Sequence, residues 1–155
     1  MITDAPRRFA QAGLLTALID GLFSSILSAV FYGSTVTRLF QGVAATVLGG
    51  AALEGGTRTA LVGVLMHIGV AFAWSGAFLF LAMRSGRICR AIASPAGIVR
   101  TAAWYGPSVW LVMSLAVIPI LLQRPPAITF RSWVQLVGHA PFVGLPIVAS
   151  IGRRR

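Results

Sequence analysis

Lysine is absent from this chain, acidic residues are nearly so, and cysteine occurs once. Each shortage excludes something. Three acids, Asp4, Asp20 and Glu54, stand against thirteen arginines, which leaves a formal charge of +10. The lone Cys89 rules out an intramolecular disulfide and any C-x-x-C metal or redox motif. There is no GxSxG, no HExxH, no DxxxD pair and no phosphate-binding glycine loop. The expectation is therefore a protein that is not an enzyme and holds no metal. Charged residues make up 10% of the chain, where soluble domains carry roughly 25%.

What fills the gap is apolar. Hydrophobic residues reach 57% and the mean hydropathy is +0.85, which places the chain in a membrane. The clearest stretch is Thr59 to Met83, twenty-five residues without a formal charge and with one imidazole, His67. A bilayer core needs about 20 apolar residues in a helix. The apolar positions of this run go all the way round instead of forming one stripe, as they should where lipid replaces water. Three further runs have spanning length: Ala12 to Phe31, Thr101 to Leu122 and Ser132 to Ile151. The first is too long for a signal-peptide core of about 7 to 15 residues and lacks an A-x-A site after it. The expected architecture is all-α, a single four-helix transmembrane domain over 1–155.

A fifth apolar run, Leu39 to Leu53, is only fifteen residues long and contains Gly42, Gly49 and Gly50. It reads as an interfacial or re-entrant helix on the outer side. Arginine placement supports that. With four spans and the N-terminus inside, Arg7, Arg8, Arg84, Arg87, Arg90, Arg100 and Arg153 to Arg155 are cytoplasmic, leaving Arg38, Arg58, Arg124 and Arg131 outside, a split of nine to four. A fifth span would give five inside and eight outside. Positive-inside bias thus favours four spans, with both termini cytoplasmic, in a bacterial inner membrane. The same placement excludes nucleic acid as a partner, because the arginines flank apolar runs, where they meet anionic lipid at the cytoplasmic face. Glu54 is expected to pair with Arg58 one turn later. Arg84 to Arg100 forms a basic connection broken by Pro95 and Gly97. Trp104, Tyr105 and Trp133 read as interfacial anchors, and Pro107, Pro141 and Pro146 as bends that neighbouring helices must accommodate.

The first run carries two rows at spacing four. Thr16, Asp20, Ser24, Ser28 and Tyr32 form one, and Gly13, Ala17, Gly21, Ser25 and Ala29 the other. Small residues let helices approach closely and hydroxyls bond across the contact, so Gly13, Ala17, Gly21 and Ser25 are expected to pack on protein. Gly69, Ala73 and Ala77 read the same way in the second span. Asp20 is the one acid inside an apolar run. At such depth a carboxyl needs a partner, and nearby Thr16, Ser24 and Ser28 are expected to supply it.

His67 lies eight residues into the second span and His139 seven into the fourth, and these spans run in the same direction. They reach nearly equal depth, with Asp20 within about 6 Å of that level at 1.5 Å rise per residue. Asp20, His67 and His139 are therefore the candidate intramembrane cluster. Three uses fit them: hydrogen bonds that hold the bundle together, a proton or substrate path, or bis-histidine haem ligation. Phe72, Trp74 and Phe142, close in sequence, are expected to fill the slot a haem would need, and no cofactor is assigned.

The segments IDGLFSSIL, RLFQGVAATVLGGAALEGGTRTALVGVLMHIGVA, WLVMSLAVIPI and GHAPFVGLPIVA resemble a group of small bacterial inner-membrane proteins of the YagU-like type. The resemblance implies the four-span count and no activity. From the sequence, three functions are carried forward: an accessory subunit packing against other transmembrane helices, as a homo-oligomer or in a larger membrane complex; a small oligomeric transporter or channel; and a haem- or pigment-binding protein. They differ in whether Asp20, His67 and His139 face a dry contact, a cavity or a flat slot.

Overall fold

A computed structural model describes residues 4–152; Arg153 to Arg155, counted above among the cytoplasmic arginines, lie outside the described residues. All regular structure among the described residues is helical. Helix α1 is Ala5–Phe31, α2 Val36–Leu48, α3 Gly56–Arg84, α4 Gly86–Ala91, α5 Pro95–Leu122 and α6 Phe130–Gly152. Four of these, α1, α3, α5 and α6, are long and apolar enough to cross a membrane. Their outward positions are apolar too, among them Leu14, Leu18, Leu65, Phe80 and Val137, as a lipid solvent requires.

Several boundaries differ from the apolar runs, for local reasons. Arginine is a good helix former, so α1 and α3 continue past their apolar stretches into polar flanks. Pro95 does not break the basic connection but begins α5, with the Ser94 hydroxyl accepting from Gly97 N–H at 3.1 Å. A proline in the first turn has no intrahelical bond to lose. The run Leu39 to Leu53 divides at Gly49, whose φ of 75° only glycine adopts readily. Before it stands α2, capped by Thr35 Oγ1 accepting from Arg38 N–H at 3.1 Å; after it comes a 3₁₀ turn, Gly50–Glu54. Glu54 pairs with Arg38 at 3.9 Å, not with Arg58, because the turn folds back along α2 and also brings the Leu53 carbonyl to 2.8 Å from Arg38 Nη1.

The long helices form a ring in the order α3, α1, α6, α5, with both described chain ends on one face, here the terminal face. Arg8 Nη1 donates to the Ile151 carbonyl at 2.7 Å there. Glycines set the closest approaches. A Cβ on Gly106 of α5 would overlap the His139 carbonyl, and one on Gly144 of α6 would overlap that of Ala102. On α2 and α3, Gly63 meets the Phe40 backbone in the same manner. The core, with Phe78, Ile92, Ala102, Ile147, Val148 and Ile151, lies toward the terminal face.

Between α3 and α5 the ring closes only in part. Tyr105 donates its hydroxyl to the Trp74 carbonyl at 2.6 Å and packs on Phe78. It is therefore an interhelical tie and not a headgroup anchor, whereas its neighbour Trp104 is 79% exposed. Beyond Tyr105 the two helices part, and α2 bridges from α3 to the far end of α5.

Three stretches are wound as π-helix: Leu27–Phe31, Met113–Val117 and Ala140–Gly144. The last two share a cause. Ile118 N–H bonds Met113 O and Leu145 N–H bonds Ala140 O, five residues back, and the following residues are Pro119 and Pro146. A proline ring clashes with the carbonyl four residues earlier, and a wider turn just before it makes room.

Candidate functional site

Where α3 and α5 part there is a cavity of about 640 Å³. Thr16, Asp20 and Ser24 line it from α1, His67 and Trp74 from α3, and Gln135 and His139 from α6. Apolar residues complete it, Val43 and Val47 of α2 and Met113, Val117 and Leu121 of α5 among them. The three residues singled out from sequence thus share one wall, on three different helices.

His67 is seated by small residues. Its Nε2 donates to the Ala17 carbonyl at 3.1 Å and lies 3.4 Å from where a Cβ on Gly21 would sit. Ala17 and Gly21 therefore make a notch for the ring. Its Nδ1 lies 3.9 Å from Asp20 Oδ2. Phe40 of α2 meets the ring edge to face at 5.9 Å. His139 Nδ1 donates to the Gln135 carbonyl at 2.7 Å.

Asp20 is largely enclosed, with 14% of its side chain exposed. The expected local partners do not reach it. Asp20 Oδ1 and Thr16 Oγ1 are buried without a hydrogen-bond partner among the described residues, and Ser28 turns instead to the Thr35 carbonyl at 3.5 Å. Buried polar atoms are nearly always paired. Two unpartnered oxygens thus stand on residues that line one cavity.

The remaining candidates separate. Gly13 receives the Phe72 ring, which a Cβ there would overlap. Ser25 and Ala77 are half-buried. Gly69 and Ala73 are both exposed and both line the cavity, and a Cβ on Gly69 would meet nothing within 4 Å. The aromatic residues expected to fill a haem slot lie elsewhere. Phe72 packs on Phe9 and Gly13, and Phe142 stacks on Phe23 at 4.2 Å; Trp74 alone borders the cavity. Haem nevertheless fits poorly for another reason, since both nitrogens of His67 already face protein oxygens.

Sequence reasoning missed Thr16 as an unpaired group, Gln135 and the α5 wall. A glutamine four residues before His139 on one helix face was the available signal for Gln135. Pro119 was the signal for the wide turn that carries Met113, Ser114 and Val117. Among the described residues no three His, Cys, Asp or Glu side chains are grouped as a metal site. Comparison with protein-family models, with curated proteins and with solved structures gives no match.

Proposed function

We propose that this chain is an integral membrane protein that binds an apolar small molecule carrying one polar group, inside the membrane, between α3 and α5. Its role is binding or carriage, not catalysis. The observation that carries this reading is the 640 Å³ cavity with apolar walls and one polar side, where Asp20 Oδ1 and Thr16 Oγ1 lack partners. Ligand sites have this composition: mostly apolar, with a few convergent polar groups. The accessory-subunit reading requires Asp20 in a dry helix contact, and the cavity beside Asp20 favours the ligand reading over it. The YagU-like resemblance adds no activity to either.

The topology belongs to the same proposal: four spans in a bacterial inner membrane, both termini cytoplasmic, and α2 on the outer side. Arginine placement supports it. Introduced at exposed Gly50, a cysteine should react with an impermeant maleimide added to intact cells, and Cys89 should not; the reverse pattern inverts the assignment.

The functional test is to purify the chain in mild detergent and identify by mass spectrometry the small molecules that stay with it. Ala73→Phe places a ring in the cavity from an exposed position and touches none of the polar groups. One apolar species should copurify with the wild type in near-stoichiometric amount and fall at least about tenfold in Ala73→Phe, the loss of roughly 1.4 kcal/mol of binding. Copurification of a protein subunit alone, indifferent to Ala73→Phe, would restore the accessory reading.

A further inference from the structure

At the far face, a second concavity of about 500 Å³ lies between the α5–α6 connection and the end of α1. Tyr32, Arg124, Arg131 and Ser132 supply its polar side and Pro125 and Pro126 a rigid rim. It shares Trp110, Ser114, Ile118 and Gln135 with the deeper cavity, yet none of Asp20, His67 or His139 lines it. The two hollows adjoin, and their polar linings differ except at Ser114 and Gln135.

Three observations define the chemistry of this concavity. Arg131 sits over the Tyr32 ring, its Cζ 4.3 Å from the centroid, which holds one guanidinium at the mouth. The Tyr32 hydroxyl is buried and has no hydrogen-bond partner among the described residues. Neither Arg124 nor Arg131 meets an acid there, because Glu54 is paired with Arg38 and Asp20 lies in the deeper cavity beside His67. Two guanidiniums and a phenol therefore bring donors and positive charge to one concavity without a counter-charge from the described chain. Guanidinium forks match phosphate oxygens bidentately. The apolar remainder, with Trp110, Ile118 and Leu122, stands at the end of the membrane helices, where a headgroup meets its chains.

We propose that this concavity binds a phosphate group, carried by an anionic lipid of the far leaflet, with Arg124, Arg131 and the Tyr32 hydroxyl as its donors. Free phosphate or a soluble phosphate ester offers the same chemistry, and the test separates the two sources. The site stands whether or not the deeper cavity binds a ligand.

The full chain would be placed in nanodiscs of equal phosphatidylglycerol and phosphatidylcholine with matched acyl chains, and the lipids retained on release counted by native mass spectrometry. The wild type should retain phosphatidylglycerol over phosphatidylcholine by about tenfold, the scale of one charge-assisted contact. Arg124→Gln/Arg131→Gln should bring the ratio to near one, whereas Arg87→Gln/Arg90→Gln on the terminal face and Ala73→Phe in the cavity should leave it high. Tyr32→Phe, which keeps the ring under Arg131, should lower it about threefold. Displacement of the retained lipid by millimolar inorganic phosphate or glycerol phosphate would assign the site to the soluble ester and support the phosphate chemistry. A ratio unchanged in the Arg124/Arg131 double variant, or no preference in the wild type together with no phosphate binding, would overturn the proposal.

Discussion

The seam between α5 and α6 and the seam between α3 and α5 are built from similar residues and end in opposite states. In the first, Gly106 and Gly144 bring backbone against backbone, and Ile147 and Val148 are wholly buried beside them. In the second, Gly69 and Ala73 stand open to a cavity, and one hydrogen bond, Tyr105 to Trp74, holds the helices together below it. Small residues permit close approach but do not command it. What decides is whether bulky groups hold the neighbour away: Trp110 and Met113 stand on the α5 side of the open seam, and α2 wedges into its far end.

The strongest way to break this comparison is one substitution made twice. Gly106→Val should destabilise the protein by about 3 kcal/mol, because the side chain would meet the His139 backbone, which cannot yield without moving α6. Gly69→Val should stay within about 0.5 kcal/mol of wild type, as substitutions at open positions do. Thermal unfolding in detergent, followed by size-exclusion chromatography, measures both; equal losses would mean that the open seam is closed by something else.

A smaller effect is expected at the tie. Tyr105→Phe removes the bond to the Trp74 carbonyl but keeps the ring on Phe78, and should cost about 1 kcal/mol. If the open seam depends on this tie, the variant should also lose its copurifying ligand, which the same mass spectrometry reads. A stable variant with full ligand retention would show that α1 and α6 alone hold the cavity's shape.

The smallest effect on stability should come from Asp20. Asp20→Asn keeps size and hydrogen-bonding capacity, and hydrogen bonds between membrane helices average about 0.6 kcal/mol. Folding should therefore be nearly unchanged, with ligand retention altered because one oxygen of the cavity wall becomes a donor. A pH-dependent flux in proteoliposomes that vanishes in Asp20→Asn would move the protein from binding to proton-coupled carriage.

Much of this was legible in the sequence. Length and hydropathy are additive along the chain, so four long helices and a short fifth could be read directly, and depth counting placed Asp20, His67 and His139 on one level. Partnership was less legible, because it depends on how helices rotate about their axes. Spacing four put Gly13, Ala17 and Gly21 on one face, but not that Ala17 and Gly21 would seat an imidazole and Gly13 a phenyl ring. It missed Gly106 and Gly144, although Ala102 and Ala140 precede them by four. Glu54 went to Arg38 and not to Arg58 because Gly49 reverses the chain, a φ choice that a charge-pair rule does not see. Tyr105 looked like an anchor from its place beside Trp104, yet neighbours on a helix point 100° apart.

The wide turns before Pro119 and Pro146 carry a last implication, for hydrogen-bond polarity. Each proline withholds an N–H from its helix, so a carbonyl one turn earlier is left over. His67 and His139 each spend one ring nitrogen on a backbone carbonyl as well. Carbonyls freed by proline need a donor, and a hydrocarbon surrounding would supply none. An alcohol or an amine would supply one, and a ketone or an ether would not. Pro119, whose wide turn carries Ser114 and Val117 on the cavity wall, would then help to select the functional group of a ligand bound as proposed.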